Sequence, residues 1–312
     1  MPTIFRAQVA ANRFWAIAAA LLLVYIVWGT TYFAISIALQ TMPPLLMNAV
    51  RFLCAGCVML LIARWQGLAW PSATQWRNAA VVGALMVFMA MNCVGLAQKL
   101  GIGSGLMATV VTTMPMWLAL WTRLGGEQVP TTSWIGLLLG VLGALLLALE
   151  GDFSASWGGA LLAFGAPLCW SLGSYASRKL DQPAATMASA AQWLIGGALS
   201  LLLALRVEPV QALGDVSVRS WAAWVYLLVM GTLVALNAYL WLLQNTSAAL
   251  AGSYSFVNPA VALLVGVGLG GERLTGWVFA ALPLVGAALA LILYGPALAA
   301  TVRRLRVAGT TV

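Results

Sequence analysis

The side chains with the most chemistry to offer stand where such groups are costly. Asn92 and Asn237 each sit in the middle of a long apolar stretch. Thr113 precedes Met114-Pro115, and Tyr254, Ser255 and Asn258 precede Pro259. An amide or hydroxyl in hydrocarbon costs free energy unless it is paired or faces a wet cavity. Proline also frees a backbone carbonyl one turn earlier and opens the helix. Such groups can hold the ammonium and carboxylate of a small solute, and Trp28, Tyr32, Trp117, Trp170 and Tyr175 supply faces for its apolar part. Acid–base or metal chemistry has no comparable support. No Asp or Glu falls within an apolar stretch and the chain has no histidine. No base–nucleophile pair or ligand cluster can be assembled. The expectation is a binding site with no catalytic residue, metal or cofactor.

What must position these groups is a membrane bundle. The chain of 312 residues is 63% hydrophobic and 7% charged, with mean hydropathy +0.98. A soluble domain carries about 25% charged residues, so this one spans a bilayer. Apolar runs of helical spanning length without period-two alternation disfavour a β-barrel. Spans are expected at Phe14–Ile37, Leu45–Ala63, Asn78–Gln98, Ser104–Thr122 and Trp134–Leu149. The second set is Trp157–Ala176, Thr186–Leu205, Trp221–Leu243, Ser247–Leu269 and Gly276–Tyr294. The two sets repeat. Leu124-Gly125-Gly126-Glu127 recurs as Leu269-Gly270-Gly271-Glu272, Asn92 pairs with Asn237, Pro115 with Pro259, and Trp134…Gly143-Ala144 with Trp277…Gly286-Ala287. The fold expected is all-α, ten transmembrane helices as two inverted five-helix repeats, residues 1–150 and 151–312. Five spans are an odd number, so the second repeat enters the bilayer upside down, as in secondary transporters.

Charge placement sets the expected topology. With the N-terminus in the cytoplasm, Arg6, Arg13, Arg64, Arg77, Arg123, Arg178, Lys179, Arg303, Arg304 and Arg306 lie inside, against Lys99, Arg206, Arg219 and Arg273 outside. This bias is the positive-inside rule. It places both termini in the cytoplasm and explains the net charge of +8 without nucleic acid. The first span is too long for a signal peptide and reads as a retained helix. Arg51 is the one intramembrane charge, expected to snorkel from the start of the second span. Cys54-Ala55-Gly56-Cys57 reads as small residues of a helix, not as a redox or metal motif. Gly101-Ile102-Gly103-Ser104-Gly105 reads as a tight turn. The pairs Gly136…Gly140 and Gly266…Gly270 read as close internal packing.

The tandem repeat, the Trp28-Gly29-Thr30-Thr31 stretch, proline followed by Gly-Gly-Glu in each half, and Asn258-Pro259 resemble the drug/metabolite transporter superfamily. The branch is the ten-helix EamA type, and the chain is most similar to bacterial exporters of aromatic and other amino acids. The resemblance implies an inner-membrane carrier working by alternating access through a cavity between the repeats, with amino acids as substrate and the lipid bilayer as its surroundings. The fifth and tenth helices would be peripheral, and the chain a monomer. The first span lacks the buried Glu of small multidrug relatives. The fourth and ninth lack the cations that sugar-phosphate relatives direct at phosphate. A multidrug or other metabolite efflux carrier of the same fold is the alternative. A pore would need a continuous polar stripe, whereas these polar residues cluster at mid-span. With no intramembrane carboxylate and Lys99 at a helix end, transport without stoichiometric proton exchange is expected.

Overall fold

The computed structural model describes residues 2–102, 104–148, 157–209 and 214–270, and beyond them 280, 283–288, 290–292 and 294–295. Described residues form helices and connecting turns, with no strand among them. The first helix is Pro2–Ala38, the second Pro44–Trp65 and the third Ala73–Lys99. The fourth is broken into Ser104–Val111 and Met114–Leu124, and the fifth is Thr131–Ala148. The sixth is Trp157–Lys179, the seventh Ala185–Val207 and the eighth Val218–Asn245. The ninth is broken into Ala248–Gly252 and Tyr254–Gly270, and the tenth is described only in part. Glu272, Trp277 and the basic tail at Arg303–Arg306 lie outside the described residues.

The third and eighth helices start earlier than their apolar cores because polar residues cap them. Ser72 and Gln75 close a reciprocal capping box, and the Ser217 side chain accepts from Ser220 N. Such caps satisfy first-turn N–H groups that the chain itself leaves open. Both helices then change winding at equivalent places. Gly83–Met91 and Leu227–Leu236 are π-helical, each ending immediately before its asparagine, Asn92 or Asn237. π-Helical turns shift the hydrogen-bond register and leave carbonyls open to side chains.

Packing exchanges partners between the halves. The third helix lies against the sixth and seventh, and the eighth lies against the first and second. The second and seventh run along each other at the centre, joining the halves. Glycines permit that approach: a Cβ on Gly56 would fall 2.9 Å from Leu194 N, and one on Gly197 would fall 2.9 Å from Leu53 N. The fifth helix turns its glycines inward, where a Cβ on Gly140 would fall 2.6 Å from the Phe256 ring and one on Gly136 3.0 Å from Ala288 O. Its opposite face exposes Ile135, Leu138, Leu142 and Leu145. Large apolar side chains facing outward, with Trp65 89% and Trp157 87% exposed, suit hydrocarbon and its interface rather than water. Among the described residues five helices meet the length and hydropathy of a span on their own: the first, second, third, seventh and eighth. The architecture is that of an all-α integral membrane protein built from two inverted five-helix repeats.

Turn chemistry follows the sequence reading. Gly101 (φ +96°) and Gly126 (φ +87°) hold left-handed backbone that only glycine adopts readily. Cys54 and Cys57 are free thiols on the second helix.

Candidate functional site

A cavity of about 60 Å³ lies where the first, second, third, fourth, sixth, eighth and ninth helices converge. One wall is aromatic. Trp28 packs edge-on against Trp170 at 5.5 Å and against Tyr254 at 4.6 Å between ring centroids, and Tyr239 completes the group at 5.1 Å from Trp28. Each ring comes from a different helix, so the cluster exists only when the repeats assemble. Two rings are pinned by hydrogen bonds. Trp28 Nε1 donates to Gly231 O (3.0 Å), a carbonyl in the π-helical part of the eighth helix beneath a residue with no side chain. Ser174 Oγ spends its proton on Trp170 O (2.8 Å), so Tyr239 OH donates to Ser174 Oγ (2.8 Å).

The polar lining is sparse and under-used. Asn258 is 1% exposed and neither its Nδ2 nor its Oδ1 has a partner. Trp170 Nε1 faces the hydroxyls of Tyr239 and Tyr254 without closing a hydrogen bond to either. Buried polar groups are normally satisfied, so unmet ones on a cavity wall are groups awaiting a ligand or water. Arg51 also lines the cavity at 4% exposure, which corrects the expectation that it snorkels. The second helix turns that position inward against the eighth, and Arg51 Nε donates to Thr232 Oγ1 (2.6 Å).

Of the residues expected at the site, Trp28, Tyr32, Trp170, Tyr254 and Asn258 line this cavity. The others lie elsewhere, and each placement has a physical reason. Asn92 joins helices: Oδ1 accepts from Asn48 Nδ2 (3.0 Å) and Nδ2 donates to Ser200 Oγ (2.8 Å). Asn237 does the same, accepting from Ser189 Oγ (2.8 Å) while Nδ2 donates to Leu233 O (2.8 Å). Ser255 Oγ bonds Gly252 O (3.0 Å), and Thr113 Oγ1 bonds Val110 O (2.8 Å); both hydroxyls stitch across their helix breaks. Trp117 stacks on Trp121 at 6.4 Å. Tyr175 lies at the end of the sixth helix, its hydroxyl filling the space above Gly125. Arg51 was legible only as a lone charge near a helix start; nothing in one dimension says which way it faces.

At that end of the bundle the helices are tied by polar contacts. Lys179 Nζ meets Glu127 Oε1 at 2.5 Å, Arg178 donates to Thr246 O (3.1 Å), and Gln244 donates to Ser177 O (3.0 Å). The Lys179 ammonium holds the Glu127 carboxyl below the usual carboxylate range. Among the described residues no cluster of His, Cys, Asp and Glu could hold a metal ion.

Comparison with known proteins agrees with this architecture. The model of the EamA-like transporter family matches the chain twice, over residues 14–149 and 157–294. The chain is 35% identical over 277 residues to YedA, an uncharacterized inner membrane transporter of Escherichia coli K12, covering 88% of this chain and 90% of that protein. It is 26% identical over 287 residues to a Salmonella typhimurium protein named "Probable amino-acid metabolite efflux pump", covering 88% and 93%. A solved crystal structure superposes with a TM-score of 0.73 at 23% identity, over 89% of this chain and 96% of the other, which shows the shared fold. Two family repeats, a bundle of apolar helices and inner-membrane relatives agree: this chain belongs to the EamA-like transporter family of the drug/metabolite transporter superfamily and is an inner-membrane transporter.

Proposed function

We propose that the chain exports neutral amino acids, aromatic ones among them, by alternating access through the cavity between its repeats. The observation that carries this reading is the pairing of one aromatic wall with unpartnered polar groups in a single cavity. Trp28, Trp170 and Tyr254 offer apolar faces that accept varied side chains, while the Asn258 amide offers both a donor and an acceptor. An aromatic face also attracts an ammonium group, which suits the cationic end of an amino acid. The broken fourth and ninth helices, at Thr112-Thr113 and at Ser253, lie in corresponding parts of the two repeats. They are the natural places for halves of a helix to move separately.

In this mechanism the substrate enters from the side where it is concentrated, displaces water from the unmet amide and indole groups, and leaves when the bundle opens opposite. The orientation that fits is both termini in the cytoplasm, with the Lys179–Glu127 contact at the cytoplasmic end. A second reading, efflux of other amphipathic metabolites or drugs, draws on the same aromatic wall and on Met91 and Met114 beside it. Counterflow in proteoliposomes separates the two. Vesicles loaded with unlabelled phenylalanine should accumulate labelled phenylalanine and, more weakly, smaller neutral amino acids. Exchange of an apolar cation such as ethidium, with no amino acid exchanged, would replace the first reading by the second.

A further inference from the structure

Arg51 presents a charge problem inside the protein. It is 4% exposed, it lines the cavity, and among the described residues its one hydrogen bond is from Nε to Thr232 Oγ1. Thr232 is neutral and gives its own proton to Leu227 O (3.1 Å), so it turns a lone pair toward the guanidinium and fixes Nε. The Phe52 ring lies 4.9 Å from Cζ and steadies the plane. Gly231 leaves room beside Nη2, which lies 3.4 Å from where a Cβ would be. Among the described residues no carboxylate answers this charge. The described membrane helices hold no Asp or Glu within their apolar parts. Glu208, at the same end of the second helix, is committed to capping it, accepting from Leu45 N (2.9 Å) and Leu46 N (2.8 Å). The nearby Asn48 amide donates to Met91 O and Asn92 Oδ1 instead.

A buried cation without a counter-charge is expensive, and the cost falls when an anion arrives. We propose that Arg51 is the carboxylate anchor of the cavity. Its terminal N–H edge receives a substrate carboxylate in the bidentate geometry that guanidinium favours. The carrier then selects solutes bearing one carboxylate against their amidated or decarboxylated counterparts. A single cation in a cavity with no other charged residue in its lining matches a monoanion; a phosphate dianion would keep an unmatched charge. Thr232 is a positioning residue in this arrangement. The inference rests on the amino-acid reading for the rest of the substrate, but the anchor is tested independently of it.

The test is counterflow and ligand-induced thermal stabilisation with a matched series: phenylalanine, 3-phenylpropionate, phenylalaninamide and phenethylamine. Wild type should take the two carboxylates at least about tenfold better than the amide and the amine, a preference of ~1.4 kcal/mol or more. Arg51→Gln should lose that preference by weakening the carboxylates while leaving the amide where it was, and Arg51→Lys should recover part of it. Thr232→Val should lower affinity for carboxylates only, which keeps the test open if Arg51→Gln does not fold. Equal handling of phenylalanine and phenylalaninamide by wild type, or undiminished discrimination in folded Arg51→Gln, overturns the anchor. Acceptance of 3-phenylpropionate with refusal of phenylalanine keeps the anchor and overturns the amino-acid reading.

Discussion

Two asparagines of similar burial should respond to the same truncation in opposite ways. Asn92 is 4% exposed and Asn258 is 1% exposed, both within membrane helices. Asn92 makes side-chain hydrogen bonds to two other helices, through Asn48 and Ser200. Interhelical hydrogen bonds in membrane proteins contribute about 0.6 kcal/mol on average and about 1.7 at most. Asn92→Ala therefore costs about 1–3 kcal/mol. The lower half of that range is expected, because neither partner is orphaned: Asn48 keeps Met91 O (3.0 Å) and Ser200 keeps Gly196 O (2.9 Å). Asn258 has no partner to lose, so Asn258→Ala should leave stability within about 0.5 kcal/mol of wild type, the usual range for a change that breaks no specific feature. Its effect falls on substrate. Losing one hydrogen bond to bound solute, about 0.5–1.5 kcal/mol, weakens transport at low concentration by roughly two- to tenfold. Denaturant unfolding of the purified protein and counterflow normalised to folded protein read the two effects separately. Wild-type stability with failed transport in Asn92→Ala would refute the reasoning. So would clear destabilisation with normal transport in Asn258→Ala.

Further expectations follow from packing and charge. A Cβ on Gly83 would fall 2.3 Å from Gln192 O, and backbone cannot step aside as a side-chain tip can. Gly83→Ala should therefore cost at least about 1–3 kcal/mol by unfolding, whereas Gly158→Ala, whose nearest contact is 3.8 Å, should be close to neutral. Glu127→Gln should lower thermal stability slightly at pH 7 and low salt, and less at high salt, because the Lys179 pair is partly solvated. Lys179 depresses the folded carboxyl, so the stabilisation is complete above the ordinary carboxylate pKa, about 4.3. It disappears as pH falls through the lower folded value, and in a pH series of melting curves the wild-type advantage should close only on that acid limb. Topology is testable in a cysteine-free background: Ala184→Cys should label from the cytoplasm and Asp215→Cys from the opposite side. Labelling of both from one side contradicts the proposed orientation.

The architecture was largely legible in one dimension. Hydrocarbon has a fixed thickness, so span length and apolarity are local properties, and the repeated Gly-Gly-Glu, Asn and Pro landmarks needed no coordinates. The starts of the third and eighth helices could also have been read from Ser72-x-x-Gln75 and from Ser217, which are capping patterns. The cavity was legible only in part. Sequence marks which polar and aromatic residues are inside the membrane, but the face each presents depends on helix rotation and on neighbours from the other repeat. Asn92 and Asn237 stood out as symmetric mid-span amides; the third and eighth helices turn them toward Asn48, Ser200 and Ser189, where they hold helices together. Arg51 sat close enough to a helix start to reach the interface, but the eighth helix crosses there and offers Thr232. Periodicity within one helix cannot decide such outcomes. A polar side chain in hydrocarbon goes wherever a partner or water is offered, and those partners come from segments far away in the chain.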